Sequence, residues 1–238
     1  MKLLGEVHKM LKFYGALGFE RLPLHLDLDA LCMIGKARGG GSGSVRTEDN
    51  SSGEKRDALN ALMEEIGDCR RCRLSEGRTN IVFGEGNADA VIMFIGEAPG
   101  KEEDLKARPF VGDAGRLLTR LIEKMGLGRE EVYIGNIIKC RPPSNRDPEG
   151  DEIRTCLPFI ERQVNIIAPK VIVSLGRISA QALIGTKVPI SRLRGSFYEY
   201  QGIPLMPTFH PAYLLRNPKD KWLVWEDAQK VLGMLKLS

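Results

Sequence analysis

The sequence lacks any long uncharged apolar run. No segment approaches the ~20 apolar residues that a membrane-spanning helix requires, so a membrane protein is not expected. Near the N-terminus, Lys2, Glu6, Lys9 and Lys12 interrupt the apolar stretch that a secretory signal would need. We therefore expect a cytoplasmic protein with no membrane partner. The hydrophobic fraction of 42% and the charged fraction of 28% are typical of a globular fold.

The sequence also has little net charge. Its 35 Lys and Arg residues oppose 31 Asp and Glu residues, which leaves +4. This balance excludes a histone-like protein that coats nucleic acid by bulk charge. It is compatible with a local basic face that contacts a few phosphates.

Cysteine is scarce, and its count is odd. Five cysteines without a secretory signal argue against a disulfide framework. The better interpretation is that four of the cysteines bind a metal ion or a cluster, and that Cys32 does not take part. Cys69 and Cys72 form a Cys-x-x-Cys pair, Cys140 ends a predicted strand, and Cys156 lies on the next predicted helix. Zinc and an iron–sulfur cluster both suit four thiolates, and the spacing does not choose between them. The alternative is two surface cysteines and two core cysteines.

Apolar residues almost vanish between residues 37 and 56, where Gly, Ser and charged residues dominate. This composition predicts a flexible linker. It separates an N-terminal extension, 1–36, from the bulk of the chain, 57–238. The apolar spacing over 2–15 is compatible with one amphipathic helix.

The bulk of the chain alternates helix-like and strand-like segments. This pattern predicts an α/β fold, a three-layer sandwich with a central, mostly parallel four-stranded sheet. An additional short pair of strands, 196–200 and 203–206, flanks Gln201–Gly202, which is typical of a hairpin turn. The predicted buried strands are 90–96, 131–138, 170–175 and 204–209. The predicted helices are 56–67, 114–126, 149–167, 177–184 and 222–236.

Parallel sheets place their sites beyond the carboxyl ends of the strands. Glu97 follows the first buried strand within Gly-Glu-Ala-Pro-Gly, where a carboxylate is well placed to hold a water. On its own this segment is equally a tight acidic turn. His210, one of only three histidines, follows the last strand and precedes Pro211. A structural, hydrogen-bonded histidine is the alternative interpretation of this residue.

The segment after His210 combines apolar residues with a cation. Leu214, Leu215 and Arg216 suit insertion into a base stack together with a phosphate contact. The same residues are also compatible with an ordinary helix start.

Together these motifs give the sequence its resemblance to the family 4 uracil-DNA glycosylases, the iron–sulfur branch of the uracil-DNA glycosylase superfamily. The resemblance covers about residues 58–236. Four ordered segments carry it: CRRC at 69–72, GEAPGKEEDLKARPFVGDAGRLL at 96–118, NIIKCRPPSNRDP at 136–148 with Cys156, and HPAYLLRNP at 210–218. One departure is Ala107, where the family usually has glycine.

The resemblance implies a role for each matching residue. Cys69, Cys72, Cys140 and Cys156 would hold a structural [4Fe–4S] cluster, and no nucleotide cofactor is implied. Glu97 would position or activate the attacking water. His210 would hydrogen-bond a uracil oxygen.

The same resemblance assigns the base pocket and the DNA contact. Phe110 would stack on uracil, and Asn136 would read the edge of the base. Gly96 and Ala98 would border the base beside Glu97. Leu214, Leu215 and Arg216 would enter the duplex. A local phosphate-binding surface is a further expectation, although each arginine alone suits a solvated, ion-paired face equally; its residues would be Arg70, Arg71, Arg73, Arg141, Arg146, Arg192 and Arg194.

The implied function is that of a monofunctional DNA glycosylase. It would flip uracil out of single- or double-stranded DNA, hydrolyse the N-glycosidic bond and leave an abasic site, which initiates base excision repair. The motifs contain no lysine nucleophile, so no lyase step is expected. The implied protein is a nucleoid-associated monomer. For the N-terminal extension, 1–36, which lies outside the resemblance, a polymerase-associated accessory role with a repair or replication partner stays open.

Two other functions are alternatives for the chain as a whole. One is a superfamily member that binds uracil-DNA without turnover, but such members carry an extra basic loop with its own histidine. The corresponding stretch here, 187–196, is short and has no histidine. The other is an electron carrier, whose clustered cysteine pattern these spacings do not match.

Overall fold

The structure is a computed structural model that describes residues 48–236, with side chains from residue 53 onward. The predicted amphipathic helix, Cys32 and most of the predicted linker lie outside these residues. The predicted linker extends too far, because a helix begins at Glu48 and runs to Ile66 (α1). Its last turns bury Leu59, Leu62 and Ile66 in the core, so tertiary packing outweighs the helix-poor composition of its start.

Six strands form one sheet in the order β1-β3-β2-β4-β6-β5. The four central strands are parallel, and the short edge strands β1 and β5 pair antiparallel to their neighbours. The strands are β1 (Glu85–Gly86), β2 (Ile92–Gly96), β3 (Tyr133–Asn136), β4 (Val171–Leu175), β5 (Tyr198–Tyr200) and β6 (Ile203–Thr208).

The α/β class and the mostly parallel sheet are confirmed, but the expected count of four strands is wrong. The four predicted strands are the four parallel ones. The fifth, β5, belongs to the predicted hairpin around Gln201–Gly202. The sixth, β1, has only two residues, too few for an alternating or apolar pattern to mark it.

Eight α-helices are described, and they cover the two faces of the sheet. After α1 they are α2 (Lys101–Lys106), α3 (Asp113–Lys124), α4 (Gly150–Ile167), α5 (Arg177–Ile184), α6 (Ile190–Leu193), α7 (Pro211–Arg216) and α8 (Lys221–Lys236). Among residues 48–236, none is both long and apolar enough to span a bilayer.

Two apolar clusters, one on each face of the sheet, make this a three-layer structure. Successive strand residues point to opposite faces. Met93 and Ile95 of β2 therefore pack against α1 and α4, through residues such as Leu62 and Ile160. Phe94 of the same strand packs on the other face, against α3 and α8.

The register brings the carboxyl ends of the parallel strands to one level. Gly96 at the end of β2 pairs with Asn136 at the end of β3. On the other side, Leu175 at the end of β4 pairs with Thr208 at the end of β6. Residues that follow these strands therefore converge at one edge of the sheet.

Candidate active site

A cavity of about 430 Å³ lies at this edge. Four of the predicted residues line it: Glu97 after β2, Phe110 between α2 and α3, Asn136 of β3, and His210 after β6. Ala98 lines it as well, and Gly96 lies directly behind Asn136 and Phe110. The structure thus brings together side chains that are up to 113 residues apart in sequence, from Glu97 to His210.

Asn136 carries an unpaired hydrogen-bond acceptor into the cavity. The residue is only 2% exposed, and its Oδ1 atom has no partner within the described chain. Its main-chain oxygen accepts a hydrogen bond from the buried Lys139 ammonium at 2.9 Å, which holds the end of β3 in place. Leaving a buried polar atom unsatisfied costs about 1–3 kcal/mol. Asn136 Oδ1 is therefore ready to accept a hydrogen bond from a ligand.

Gly96 leaves the room in which these side chains meet. A Cβ atom at this position would lie 2.4 Å from Asn136 Oδ1 and 2.6 Å from Phe110 Cζ. Both distances are well below van der Waals contact, so no residue with a side chain fits here without displacing Asn136 and Phe110.

Phe110 is held in an unusual conformation. Its φ angle is +50°, in the left-handed region that non-glycine residues seldom adopt. The Glu103 carboxylate stabilises the loop, because its Oε1 atom accepts hydrogen bonds from the main-chain N–H groups of Val111 and Gly112, both at 2.9 Å. Phe110 is 6% exposed and borders the cavity with its ring. Ala107, at the end of α2, also has a positive φ of 54°, which explains why glycine is favoured there.

His210 is held in one tautomer. Its Nδ1 atom accepts a hydrogen bond from the main-chain N–H of Ala212 at 3.1 Å, which caps the start of α7. A neutral imidazole whose Nδ1 accepts must carry its proton on Nε2. Burial lowers the pKa of His210 to about 4, so the ring is neutral at pH 7. The ring lies 5.6 Å from that of Phe110, between centroids.

Glu97 has an elevated pKa. Burial is the main cause and repulsion from the Asp147 carboxylate adds to it; against the opposing effect of the Arg177 guanidinium, they raise the pKa of Glu97 to about 7. Such a carboxyl changes its charge close to neutral pH, which is the range in which a proton acceptor for a bound water works best.

The segment after His210 only partly matches the prediction. Leu214 is 4% exposed and lies on the side of α7 away from the base cavity, so the structure does not support its role in entering DNA. The physical reason is that α7 turns this side chain toward α3 and α8. Leu215 is 42% exposed, and Arg216 borders the cavity at the surface. Of the two leucines, only Leu215 is therefore exposed.

Several of the predicted phosphate-binding arginines already have protein partners. Arg73 and Arg146 both bind the buried Glu152 carboxylate, at 2.9 Å and 2.7 Å. Arg194 is 14% exposed and binds Asp227. These three arginines stabilise the fold, and the expectation that they contact phosphates is not supported for them.

Sequence reasoning missed Glu103 and Tyr213, which also line the cavity. Glu103 is one of three successive acidic residues, 102–104, and no pattern distinguishes it from its neighbours. Glu103 stabilises the loop that carries Phe110, and it can do so only because this loop folds back onto α2.

The four predicted cysteine ligands lie around a second, small cavity. Cys69, Cys72, Cys140 and Cys156 all border it, and all four are free thiols. Two follow α1, one follows β3, and one lies on α4. The site therefore joins the start of the described domain to its middle.

Three hydrogen-bond donors point at these sulfur atoms. Arg71 Nη1 donates to Cys69 Sγ at 3.2 Å, and Arg78 Nη1 donates to Cys140 Sγ at 3.4 Å. The main-chain N–H of Lys139 donates to Cys156 Sγ at 3.3 Å. Cationic donors stabilise anionic sulfur. This donor set fits a metal group held by four thiolates.

Metal binding at the cysteine site would change the protonation of its thiols. Within residues 48–236, no group of three or more His, Cys, Asp or Glu side chains is arranged to hold one metal ion. Burial raises the pKa of Cys140 to about 11. Binding of a metal group would therefore release a proton from this thiol.

The fold and the site define an α/β protein in which a buried amide, an aromatic ring, an imidazole and a carboxyl line one cavity at the carboxyl ends of the strands. The sequence profile of the uracil DNA glycosylase superfamily matches residues 83–230. The type-4 uracil-DNA glycosylase of Saccharolobus solfataricus is 48% identical over 184 residues, which are 74% of this chain and 85% of the relative. Those of Sulfurisphaera tokodaii and Thermotoga maritima are 46% and 44% identical, covering 74% and 76% of this chain and 84% and 97% of the relatives. The chain belongs to the type-4 uracil-DNA glycosylase family.

Proposed function

We propose that this chain extrudes uracil from DNA, hydrolyses its N-glycosidic bond and leaves an abasic site for base excision repair. The observation that carries the proposal is the unpaired Oδ1 atom of Asn136 inside the cavity. Uracil offers an N3–H donor next to the O4 acceptor, and the Asn136 amide offers the complementary acceptor and donor. Cytosine presents an unprotonated N3 and an amino group at those positions. A site built on such hydrogen bonds rejects the wrong base strongly, because its buried groups then stay unpaired.

His210 supports departure of the base. Breaking the N-glycosidic bond leaves negative charge on uracil, and the Nε2–H of His210 can donate to the uracil O2 atom. Because the ring is neutral and Nδ1 accepts a hydrogen bond, Nε2 carries the single ring proton and can donate it in a hydrogen bond without a change of protonation state. A pre-positioned donor of this kind is worth about 10²–10³ in rate.

Glu97 acts on the other reactant. In its ionised form the carboxylate holds a water toward the C1′ atom and stabilises positive charge on the sugar. Phe110 packs against the extruded base in place of its former neighbours. Leu215 is the exposed apolar side chain that enters the space left in the duplex.

For the cysteine site we propose a [4Fe–4S] cluster with a structural role. The proposal is supported by four free cysteines around one small cavity, with hydrogen-bond donors to three of the sulfurs, and by the family to which the chain belongs. When bound, the group would cross-link the segment after α1 to β3 and α4. Cys69, Cys72, Cys140 and Cys156 would hold it.

A Cys140→Ser variant is expected to lose most of the bound iron and the visible absorbance of the protein. Its melting temperature should fall as well, because metal binding contributes directly to folding free energy. Cys32→Ser is the matched control, since Cys32 lies outside the region of resemblance. Iron and zinc analysis of both variants checks this. Equal iron in the two variants, or zinc in place of iron in the unmodified protein, would contradict the proposal.

The raised pKa of Glu97 predicts a pH-dependent rate. Because the carboxylate is the active form, the rate should fall about tenfold as the pH falls from 8 to 6, through the pKa of about 7. Glu97→Gln should lower kcat by ~10²-fold and remove this dependence. Glu123→Gln, on the exposed surface of α3, is the control and should keep both rate and profile. An unchanged profile in Glu97→Gln would show that another group titrates.

The same shift predicts an effect on stability. The pKa of Glu97 is higher in the folded than in the unfolded protein. Its ionisation therefore lowers the free energy of unfolding as the pH rises from about 4.5 to about 7. Glu97→Gln lacks this ionisation. Its melting temperature, relative to the unmodified protein, should therefore be higher at pH 8 than at pH 4.5.

The direct test of the function is a duplex oligonucleotide with one uracil opposite guanine. We expect free uracil and a strand break that appears only after alkali treatment. Tight binding without release of uracil would instead favour a non-catalytic member of the superfamily.

A further inference from the structure

A second concave surface lies on the far side of α7 from the base cavity. We call it the α3–α8 groove; its apolar floor is formed by Leu121, Phe209, Leu214, Val224 and Trp225. Its volume is about 240 Å³, below the ~300–1,000 Å³ of pockets that enclose small ligands. It has room for one large apolar side chain of a partner. The proposed glycosylase reaction uses none of these floor residues.

The rim of the groove is basic. Arg120, Lys124 and Lys221 border it, all three are exposed, and none of the residues that line it is acidic. Within the described part of the chain, none of the three cations forms an ion pair with a carboxylate. A basic rim around an apolar floor complements an acidic segment with an apolar anchor.

The aromatic rings of the groove already have partners on their faces. The Lys124 ammonium lies 4.1 Å from the centre of the Trp225 ring. The Phe209 ring lies against the Tyr213 ring, with 4.7 Å between centroids and a tilt of 30°, and Arg194 lies 5.8 Å from the centre of the Phe209 ring. Binding of single-stranded nucleic acid depends on open aromatic faces on which bases stack. These contacts favour a peptide over a nucleic acid.

We propose that the α3–α8 groove binds an acidic peptide segment of a partner protein, which inserts one large apolar side chain between α3, α7 and α8. Helix α7 presents Leu214 to this groove and Arg216 to the base cavity. A partner bound in the groove would therefore lie beside the DNA-contacting segment without entering the base cavity.

Trp225 provides a direct signal for binding. The chain has two tryptophans, and Trp222 is 58% exposed, so Trp222→Phe in the full-length chain leaves Trp225 as the only fluorophore of its kind. The probe is a synthetic peptide of about ten residues, rich in Asp and Glu, with one central Phe. We expect a saturable change in fluorescence that weakens with added salt. A peptide with Ala in place of Phe, and one with Lys in place of the acids, should each bind at least ~10-fold more weakly.

Charge reversal on the rim locates the binding site. The double variant Arg120→Glu with Lys221→Glu should weaken peptide binding by at least ~10-fold and leaves the Lys124–Trp225 contact intact. Lys170→Glu with Lys187→Glu, both exposed and outside the groove, changes the net charge equally and should alter binding less than ~2-fold. Absence of saturable binding, or equal weakening by both double variants, would overturn the proposal. Binding of a uracil-free single-stranded oligonucleotide that only the rim variant weakens would overturn it too, since the groove would then be a nucleic-acid surface.

Discussion

Gly96→Ala is expected to lower kcat/KM for uracil excision by at least ~100-fold while the protein stays folded. The new Cβ atom would lie 2.4 Å from Asn136 Oδ1 and 2.6 Å from Phe110 Cζ. Both atoms are ends of side chains, so they can move without breaking the sheet. Their displacement would nevertheless misplace the acceptor and the ring that position the base. Misplacement by about 1 Å commonly costs ~10²-fold in rate.

Gly233→Ala is the matched control for this change. It makes the same substitution in α8, where a Cβ atom meets nothing within 4 Å. Its activity should be unchanged, and it should gain about 0.5–1 kcal/mol in stability, because alanine favours a helix interior over glycine. Kinetics and thermal melting of both variants provide the comparison. Activity within ~3-fold of the unmodified protein in Gly96→Ala would show that Asn136 and Phe110 do not need their observed positions.

His210→Asn should lower kcat by ~10²–10³-fold with a much smaller effect on KM, because the lost hydrogen bond acts on charge that develops as the bond breaks. Asparagine is one of the preferred N-cap residues of helices. It can therefore replace the bond that His210 Nδ1 accepts from Ala212 at the start of α7. Alanine cannot, so His210→Ala should show the same rate loss together with a lower melting temperature.

The comparison of these two variants separates chemistry from structure. A rate loss in His210→Ala that asparagine restores would mean that His210 serves only as a helix cap. The pH profile gives an independent check. Because the pKa of His210 lies at about 4, the unmodified enzyme should show no titration of this residue between pH 5 and 8.

The parallel core of the sheet was predictable from the sequence, because each central strand is a short apolar run between helical segments. β2, for instance, is buried along its whole length. The positions of Glu97 and His210 followed from the rule that sites lie after strand ends. The roles of Phe110 and Asn136 came from the resemblance to a family, since neither residue type is diagnostic by itself.

Other features depend on tertiary contacts that a linear pattern does not contain. Leu214 and Leu215 are adjacent and chemically identical, and only the packing of α7 against α3 and α8 decides that Leu214 is buried. Glu103 becomes important because the Phe110 loop folds back over α2. Arg73 and Arg146 were predicted to bind phosphate, but both converge on the buried Glu152.

The central claim is that the unpaired Oδ1 atom of Asn136 accepts the N3–H of an extruded uracil. Two oligonucleotides that differ only in a methyl group on N3 of the uracil test it most directly, with the released base quantified by chromatography. The methyl group removes the donor and would meet Oδ1. We predict rapid release of uracil and release of N3-methyluracil at less than ~1% of that rate. Release of both bases at similar rates, or no release of uracil, would contradict the account.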